Sequence, residues 1–453
     1  MSIGLTYAHN VFFINFATEN KKLVKFMQKR NTTKGILALS PIIVLLTIYL
    51  AGSIIAGDFY KIPIAVAFMT ASVYAIAITR GSSINERIEH FSQGAGNSRI
   101  MYMVWIFVLA GAFASLAKAM GAVDTTVNLT LNFIPSNYLP AGIFIAACFI
   151  SMSIGTSVGT IVALTPVVTA LATQMNCDIA WLVAIVVGGS FFGDNLSFIS
   201  DTTIAATQTQ GCSMRSKFKT NIVLVMPAAV VTLLLYAFSG NNIEEITAST
   251  ITFGESIKCI PYIIVIVCAL LGMNVLAVLI TGIVIAAGMG VAYGAVDAIS
   301  IFTEMGRGIM GMCELIIVTL LAGGLLEIVR INGGIDYLIR IVTLRVRSKR
   351  AAELAITALT ALANVCTANN TIAILTVGNI SRDIAKEFGI SPRRSASLMD
   401  TTSCFVQGII PYGAQLLMAS GLAMISPISI IPHLYYPMCI GIMIIISILI
   451  KKL

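Results

Sequence analysis

Two aspartates seven residues apart stand in a polar stretch that interrupts an apolar part of the chain. Residues 193–203 contain Asp194, Asp201, one asparagine and four hydroxyl side chains, between the apolar residues 181–187 and 204–206. An ionised aspartate at the centre of a bilayer costs several kcal/mol, and backbone that leaves the helix at that depth must be enclosed by protein or line a watery cavity. The stretch therefore predicts an unwound membrane helix that carries an ion site, with a loop between two short spans as the alternative.

The composition predicts a helical membrane protein. Hydrophobic residues make up 57% and charged residues 11% of the 453 residues, and apolar runs long enough to cross a hydrocarbon core of ~30 Å recur along the chain. An outer-membrane barrel would instead show short alternating segments. The net charge of +8 comes from basic residues beside these runs, as in membrane proteins, and does not indicate a nucleic-acid partner. The nine cysteines and three histidines show no metal-binding spacing.

The fold class that follows is an all-α polytopic membrane protein with about ten transmembrane helices and two re-entrant hairpins. The hairpins, residues 140–175 and 352–388, are each too long for one span and have polar tips at residues 155–160 and 366–371. Basic loops, among them the one with Arg215, Lys217 and Lys219, place one side of the spans in the cytoplasm, and we expect both termini there. The predicted divisions are a basic N-terminal segment at 1–34, a first transmembrane repeat at 35–240, an extracytoplasmic connection at 241–258 and a second repeat at 259–453.

An internal repeat links the two halves. A Leu-Ala-Gly triplet, a basic residue, a glycine and an aspartate in residues 109–124 recur at a constant offset of 212 in residues 321–336. The polar hairpin tip also recurs, and residues 201–203 have an echo in residues 400–402. By the loop charges, the first copy runs outward and the second inward. Inverted repeats with broken helices that meet at the midplane are typical of secondary transporters.

The hairpin tips and broken spans supply the oxygen ligands that a cation such as Na⁺ requires, namely carboxylates, hydroxyls, amide oxygens and freed backbone carbonyls. We predict Na⁺ binding at Asp194, Asn195 and Asp201. The candidate ion- or substrate-binding residues are, in the first half, Thr156, Ser157, Thr160, Asp194, Asn195, Ser197, Ser200, Asp201 and Thr202, and in the second half, Thr367, Asn369, Asn370, Thr371, Asp400, Thr401 and Thr402.

Asp194 is the first choice for the exchanging group because it lies deepest in its span. Burial favours its protonated form and a bound cation favours the carboxylate, so Na⁺ and H⁺ would compete for one group. For Asp201 and Asp400, a role as cation ligand and a role as helix cap both stay open. Glu314 and Glu327 are second-tier candidates, with solvation at the interface and pairing with Arg330 as their respective structural alternatives.

Residues 193–203 and 155–160 carry a resemblance to a known family. The chain resembles the NhaC family of bacterial sodium/proton antiporters, whose G-D-x-[LM]-S-x-x-S-D-T-T pattern and preceding G-T-S-x-G-T pattern both match in order and spacing. The resemblance extends from about residue 85 to 220, and the second half matches more loosely. Many relatives have lysine and proline where this chain has Asn195 and Phe198. The missing positive charge beside Asp194 should favour a bound cation or alter the stoichiometry.

The resemblance implies an ion-transporter-type fold in a bacterial inner membrane, with two hairpins and two broken helices in an elevator-like transport domain. We expect no cofactor. The predicted function is exchange of Na⁺ for H⁺ by alternating access, in a protein that is not an enzyme. A Na⁺- or H⁺-coupled carrier of an organic acid or amino acid is the alternative, and an intramembrane aspartyl protease using Asp194 and Asp400 is a remote one. The expected partners are Na⁺, H⁺ and the lipid bilayer, with monomer and homodimer both open.

Overall fold

The computed structural model describes residues 32–52, 55, 63–81, 83–133, 135–198, 200–239, 253–271, 273–344 and 346–450. Within these ranges the regular secondary structure is helical, without strands. The predicted N-terminal segment lies outside the described residues as far as residue 31, and the predicted extracytoplasmic connection does so as far as residue 252.

The first half of the chain is a succession of helices, some joined by very short breaks. They are α1 (Thr32–Leu46), α2 (Ile64–Ile78), α3 (Ile84–Ala95), α4 (Ser98–Ala119), α5 (Ala122–Phe133), α6 (Leu139–Ile154), α7 (Ser157–Gln174), α8 (Ile179–Leu196), α9 (Asp201–Gln210) and α10 (Met214–Ser239).

The second half has a similar succession, with single helical turns at Phe253–Ser256 and Pro427–Ile430. Its helices are α11 (Ile260–Leu270), α12 (Val275–Ala292), α13 (Ala298–Gly311), α14 (Cys313–Ile331), α15 (Gly334–Thr343), α16 (Lys349–Thr367), α17 (Asn370–Glu387), α18 (Pro392–Ile409), α19 (Ala414–Ala423) and α20 (Tyr435–Leu449).

Several helices have the length and composition of membrane spans, so the chain is an integral membrane protein. Among the described residues five qualify, or up to seven if each of two bent helix pairs is one span. Other apolar helices are only 10–17 residues long, and a single crossing takes about 20 residues. The total of about ten spans and two re-entrant hairpins therefore stays a prediction. The five are Ile100–Ala119, Ser157–Gln174, Ile179–Gln210, Met214–Ser239 and Val275–Ala292.

Both predicted hairpin tips are breaks between two helices. The first break consists of Gly155 and Thr156, and Gly155 adopts a left-handed φ of 76° that suits glycine. The second consists of Ala368 and Asn369, and Ala368 adopts the same region with φ 51°. The breaks are shorter than the polar tips of the sequence, because Thr160 and Thr371 already lie in the first turns of α7 and α17.

The polar stretch at residues 193–203 is interrupted as predicted. Helix α8 ends at Leu196 and α9 begins at Asp201, which leaves residues 197–200 between them. The matching break in the second half, residues 410–413, contains Pro411 as expected. Asp400 lies well before it, inside the unbroken helix α18. The sequence echo between residues 201–203 and 400–402 therefore does not mark equivalent positions in the two halves.

Helix α8 lies at the centre of a bundle formed by α6–α10 and α16–α20. It is buried along almost its whole length, and it packs very closely against α6. The Ser151 hydroxyl of α6 donates to the Ser190 carbonyl at 2.6 Å. A Cβ at Gly193 would overlap the Ser151 side chain and lie 2.5 Å from the backbone nitrogen of Met152. Glycine at position 193 is thus required by the contact that positions the neighbouring aspartate.

A second group of helices packs beside this bundle and consists of α2–α4 with α12–α14. Its closest contact joins α4 and α13, where a Cβ on Gly308 would overlap the backbone of Gly111. Small residues at such crossings allow two membrane helices to approach backbone to backbone. The candidate site lies between this group and the bundle.

Candidate functional site

A cavity of about 840 Å³ lies where the two hairpin tips and the two helix breaks meet. The wall on the side of the other helix group includes Tyr102 of α4 and Asn274 before α12, and the Tyr102 hydroxyl donates to Asn274 Oδ1 at 3.3 Å. The predicted residues on the wall are Thr156, Ser157, Asp194, Ser200, Asp201, Thr202, Asn369, Asn370 and Thr371. Residues from four separate parts of the sequence are thereby brought to one cavity.

Asp194 is the buried carboxylate of this cavity, with 3% of its surface exposed. It belongs to the last turn of α8, and its Oδ1 accepts from the Ser157 backbone N–H at 3.0 Å and from the Ser200 hydroxyl at 3.3 Å. The Ser157 N–H is one of the N–H groups that the first turn of α7 leaves without an intrahelical partner, and a carboxylate there also interacts favourably with the helix dipole. Asp194 thus connects the first hairpin tip to the break after α8.

Two glutamines extend this connection to the second half. Gln407 Nε2 donates to the Ala368 carbonyl at 2.8 Å and to Gln415 Oε1 at 2.9 Å. Gln415 Nε2 donates in turn to the Ser157 hydroxyl oxygen at 2.9 Å. Sequence reasoning missed both glutamines, since an isolated amide in an apolar run is a weak signal. Their bonds form a continuous path from the second hairpin break to Asp194.

The predicted sodium ligands Asp194, Asn195 and Asp201 are not all on the cavity. Asn195 is fully buried, and its Nδ2 donates to the Phe191 carbonyl at 2.9 Å and to the Tyr436 hydroxyl at 3.1 Å, so it does not line the wall. Asp201 does line it, as the exposed first residue of α9. Within the described parts of the chain, no group of three or more His, Cys, Asp or Glu side chains is arranged to hold a metal ion.

The other predicted residues away from the cavity are buried inside the bundle. The Thr160 hydroxyl donates to the carbonyl of Thr156, in the break before α7, at 3.3 Å, and the Thr401 hydroxyl donates to the Ser397 carbonyl in its own helix at 2.7 Å. The Thr367 hydroxyl donates to the Asn369 carbonyl at 3.0 Å. The predicted residues that do not line the cavity are Thr160, Asn195, Ser197, Thr367, Asp400, Thr401 and Thr402.

Asp400 is bound to a lysine that the sequence had assigned to a cytoplasmic loop. Asp400 is fully buried, and its Oδ2 lies 2.7 Å from Lys217 Nζ and accepts from Asn221 Nδ2 at 2.9 Å. The helix-cap interpretation of Asp400 is wrong, because it stands inside α18. The loop assignment of Lys217 is also wrong, because 1% of the residue is exposed. The positive-inside rule could not separate it from its neighbours Arg215 and Lys219.

The two second-tier glutamates lie apart from the cavity. Glu314 is exposed in the first turn of α14. Glu327 forms an ion pair with Arg330 three residues along the same helix, so its structural alternative is confirmed. Neither lines the cavity. Both glutamates therefore lie away from the cavity of Asp194, the proposed exchanging group.

Replacing either glutamate is expected to have little effect. In Glu314→Gln and Glu327→Gln, Na⁺-driven proton flux in proteoliposomes should stay within about twofold of the unmodified protein, since neither glutamate lines the cavity. The ion pair that Glu327 loses has a largely exposed arginine, and pairs near the surface contribute about 0–1 kcal/mol. Protein recovery should also be unchanged. A loss of flux in Glu314→Gln with normal recovery would place a necessary carboxylate on α14, away from the cavity.

Comparison with known proteins agrees with a transporter. The model of the Na⁺/H⁺ antiporter family matches residues 3–241 and 242–451. The Malate-2H(+)/Na(+)-lactate antiporter of Bacillus subtilis (strain 168) is 24% identical over 430 residues, which are 87% of this chain and 91% of that protein. The Na(+)/H(+) antiporter NhaC of the same organism is 23% identical over 376 residues, 75% of this chain and 81% of that protein.

Among solved structures, the Alcanivorax borkumensis YdaH transporter is similar over 80% of this chain and 86% of its own, with 12% identity and a TM-score of 0.40. The family match spans nearly the whole sequence and includes both polar stretches from which the resemblance was inferred. That resemblance is confirmed: the chain belongs to the Na⁺/H⁺ antiporter family.

Proposed function

We propose that this protein exchanges Na⁺ for H⁺ across a bacterial cytoplasmic membrane, with Asp194 as the group for which the two ions compete. The observation that carries the proposal is a buried carboxylate at a helix break, on the wall of a polar cavity shared by both halves. The names of the similar Na(+)/H(+) antiporters support the same assignment. The fold and the cavity thus favour a transporter over the protease alternative.

The chemistry needs one carboxyl group. Burial favours its neutral, protonated form, whereas a cation in contact with it favours the carboxylate, so binding of either ion displaces the other. The Ser157 N–H and the Ser200 hydroxyl hold Asp194 Oδ1. These contacts orient the carboxylate toward the cavity. Alternating exposure of the cavity to the two sides of the membrane would then couple the two ion movements.

We also propose that the two halves are inverted repeats, which is the arrangement that alternating access uses. Three helices support it, because each recurs with the same length 213 residues later (370 − 157 = 213). The pairs are Ser157–Gln174 with Asn370–Glu387, Ile179–Leu196 with Pro392–Ile409, and Asp201–Gln210 with Ala414–Ala423.

A hydrogen bond recurs at the same offset. Ser151 donates to the Ser190 carbonyl in the first half, and Asn364 Nδ2 donates to the Ser403 carbonyl at 2.7 Å in the second. At this offset the counterpart of Asp194 is Gln407, an amide. At this position the first half therefore has a carboxylate and the second half an amide, which fits one site for ion competition.

The topology can be tested with reporter fusions. The proposed orientation places residues 241–258 outside and both termini inside. A reporter that works only outside the cytoplasm should therefore be active when it is fused after Gly240. A fusion after Arg347, in the basic segment before α16, is the matched control and should report the cytoplasm. A cytoplasmic signal from the Gly240 fusion would contradict the inverted arrangement.

The exchange itself is tested in sealed proteoliposomes that contain a pH-sensitive dye. Addition of Na⁺ to the outside should drive protons outward, whereas choline at equal ionic strength should not. A protein that moves no protons in response to Na⁺ would contradict simple exchange.

The size of the cavity favours a second candidate, a Na⁺- or H⁺-coupled exchanger of a small organic acid. A volume of about 840 Å³ is within the ~300–1,000 Å³ range of sites for small molecules and far exceeds the ~30 Å³ of one water. The N-terminal residues of α7 and α17 line it, and helix N-termini favour anions. Arg394 does not line it, being paired with Glu353 at 3.2 Å.

This candidate predicts Na⁺- or H⁺-dependent uptake of a radiolabelled hydroxy- or dicarboxylate into the same proteoliposomes. The similar Malate-2H(+)/Na(+)-lactate antiporter suggests which acids to try first. Proton flux on Na⁺ addition that needs an organic acid on the opposite side would favour this candidate over simple exchange. Flux that proceeds in the absence of any organic acid would favour the first.

A further inference from the structure

Lys217 is a buried cation whose surroundings resemble those of a bound metal ion. Its Nζ donates to the Thr203 hydroxyl at 2.7 Å and to the Asn195 carbonyl at 2.8 Å, and it lies 2.7 Å from Asp400 Oδ2. These acceptors come from α9, the end of α8 and α18. An ammonium group has three N–H donors, so three oxygens satisfy it fully.

The chemistry of these acceptors suggests why a lysine is there. A carboxylate, a hydroxyl and a backbone carbonyl near a helix break are the kinds of oxygen that broken membrane helices offer to Na⁺. We propose that the Lys217 ammonium permanently occupies a second cation position, formed by Asp400, Thr203 and the Asn195 carbonyl. Only the Asp194 position then exchanges ions. This inference rests on the proposed function for the identity of the cation, Na⁺.

An asparagine shares two acceptors with the ammonium. Asn221 Nδ2 donates to two of the same acceptors, the Asn195 carbonyl and Asp400 Oδ2, both at 2.9 Å. The Oδ1 atoms of Asn195, Asn221 and Asp400 are buried and have no hydrogen-bond partner among the described residues. Of these, Asp400 Oδ1 belongs to the carboxylate that binds the ammonium, so that carboxylate keeps an oxygen that the ammonium does not use. A metal cation accepts more oxygen ligands than an ammonium donates bonds.

The internal cation has a consequence for the transported charge. Lys217 compensates Asp400 in every state of the cycle, so Asp194 alone changes its ionic partner at the site. One Na⁺ is therefore carried in each cycle. Without the lysine, Asp400 would be a second exchangeable carboxylate, and two Na⁺ ions would bind.

The test is equilibrium binding of ²²Na⁺ to the purified full-length protein in detergent. The unmodified protein should bind one Na⁺ per chain, and Lys217→Ala should bind two. The double variants Lys217→Ala/Asp194→Asn and Lys217→Ala/Asp400→Asn should each bind one Na⁺ per chain. The control Lys217→Arg keeps the positive charge and should bind no more Na⁺ than the unmodified protein. A Lys217→Ala variant that binds no more Na⁺ than the unmodified protein would overturn the inference.

The two proposals fail in different ways. If Asp194→Asn leaves Na⁺ binding unchanged while Lys217→Ala still gains one Na⁺, the proposed exchange at Asp194 is wrong and the inference about Lys217 stands. If Asp194→Asn removes the bound Na⁺ and Lys217→Ala gains none, the proposed exchange at Asp194 stands and the inference about Lys217 is wrong. A merely structural ion pair predicts the second result, because it needs no affinity for Na⁺.

Folding of the variants provides a second measurement. Loss of the ammonium leaves Asp400 buried and unpaired, which destabilises a protein strongly. Lys217→Ala and Lys217→Gln should therefore have a higher unfolding temperature in Na⁺ than in choline, by a larger margin than the unmodified protein. If both variants fail to fold even at high Na⁺ concentration, Na⁺ does not replace the ammonium and the inference is wrong.

Discussion

Asp194→Asn is expected to reduce Na⁺-driven proton flux to the background of protein-free liposomes while leaving the protein folded. Asparagine has the same shape, and its Oδ1 can still accept from the Ser157 N–H and the Ser200 hydroxyl. The hairpin tip should therefore stay attached to α8. The amide can neither bind and release the proton nor offer a charge to Na⁺, so both halves of the exchange are lost together.

A matched control lies at the other end of the same helix. Asp178 caps α8 by accepting from the Ala180 N–H at 2.9 Å, and asparagine caps helices about as well. The 3.2 Å contact between Asp178 and His433 is partly exposed, and such ion pairs contribute little. Asp178→Asn should keep both folding and flux. If Asp194→Asn also keeps its flux, then Asp194 is not the group that the two ions share, and Asp201 on the same cavity becomes the carboxylate to test.

Gly193→Ala is expected to prevent the bundle from assembling. The added Cβ would overlap the Ser151 side chain and lie 2.5 Å from the Met152 backbone nitrogen, and backbone cannot rotate away as a flexible side chain can. Overpacking of a core typically costs about 1–3 kcal/mol, and we expect the upper end or more. Separation of α8 from α6 would also displace the adjacent Asp194. The measurement is recovery of monodisperse protein and its unfolding temperature.

Gly142→Ala in α6 is the control for this substitution. A Cβ at Gly142 meets nothing within 4 Å, and alanine is a better helix former than glycine by about 1 kcal/mol. We expect Gly142→Ala to be as stable as the unmodified protein or slightly more so. Equal stability of Gly193→Ala and Gly142→Ala would contradict the close packing of α6 and α8.

Sequence reasoning located the helix breaks because their signals are local. Glycine and clustered polar residues disfavour a continuous apolar helix, and the breaks at residues 155–156 and 197–200 follow from them. The placement of Asn195 was also predictable in principle. Asp194 and Asn195 both belong to α8, and neighbouring residues in a helix point about 100° apart. When Asp194 faces the cavity, Asn195 faces the interior of the bundle.

The lysine and the glutamines could not be placed from the sequence, because their roles depend on partners far along the chain. Lys217 follows a span and precedes another, so its loop assignment used the same rule that correctly identifies most basic flanks. Only the packing of α10 against α18 shows that it is buried on Asp400. Gln415 is likewise connected to Ser157 across 258 residues. Such contacts have no local sequence signal.

The distance along the chain between Lys217 and Asp400 also has a consequence for biosynthesis. The two are 183 residues apart (400 − 217 = 183), and ribosomes add about 5–20 residues per second. Asp400 is therefore synthesised roughly 10–40 s after Lys217. We expect α10 to enter the membrane during that interval with the Lys217 ammonium not yet paired with Asp400, and with Arg215 and Lys219 in a basic flank that stays at the membrane surface. On this expectation, burial of Lys217 waits for the synthesis of α18, which brings the carboxylate of Asp400 late in translation.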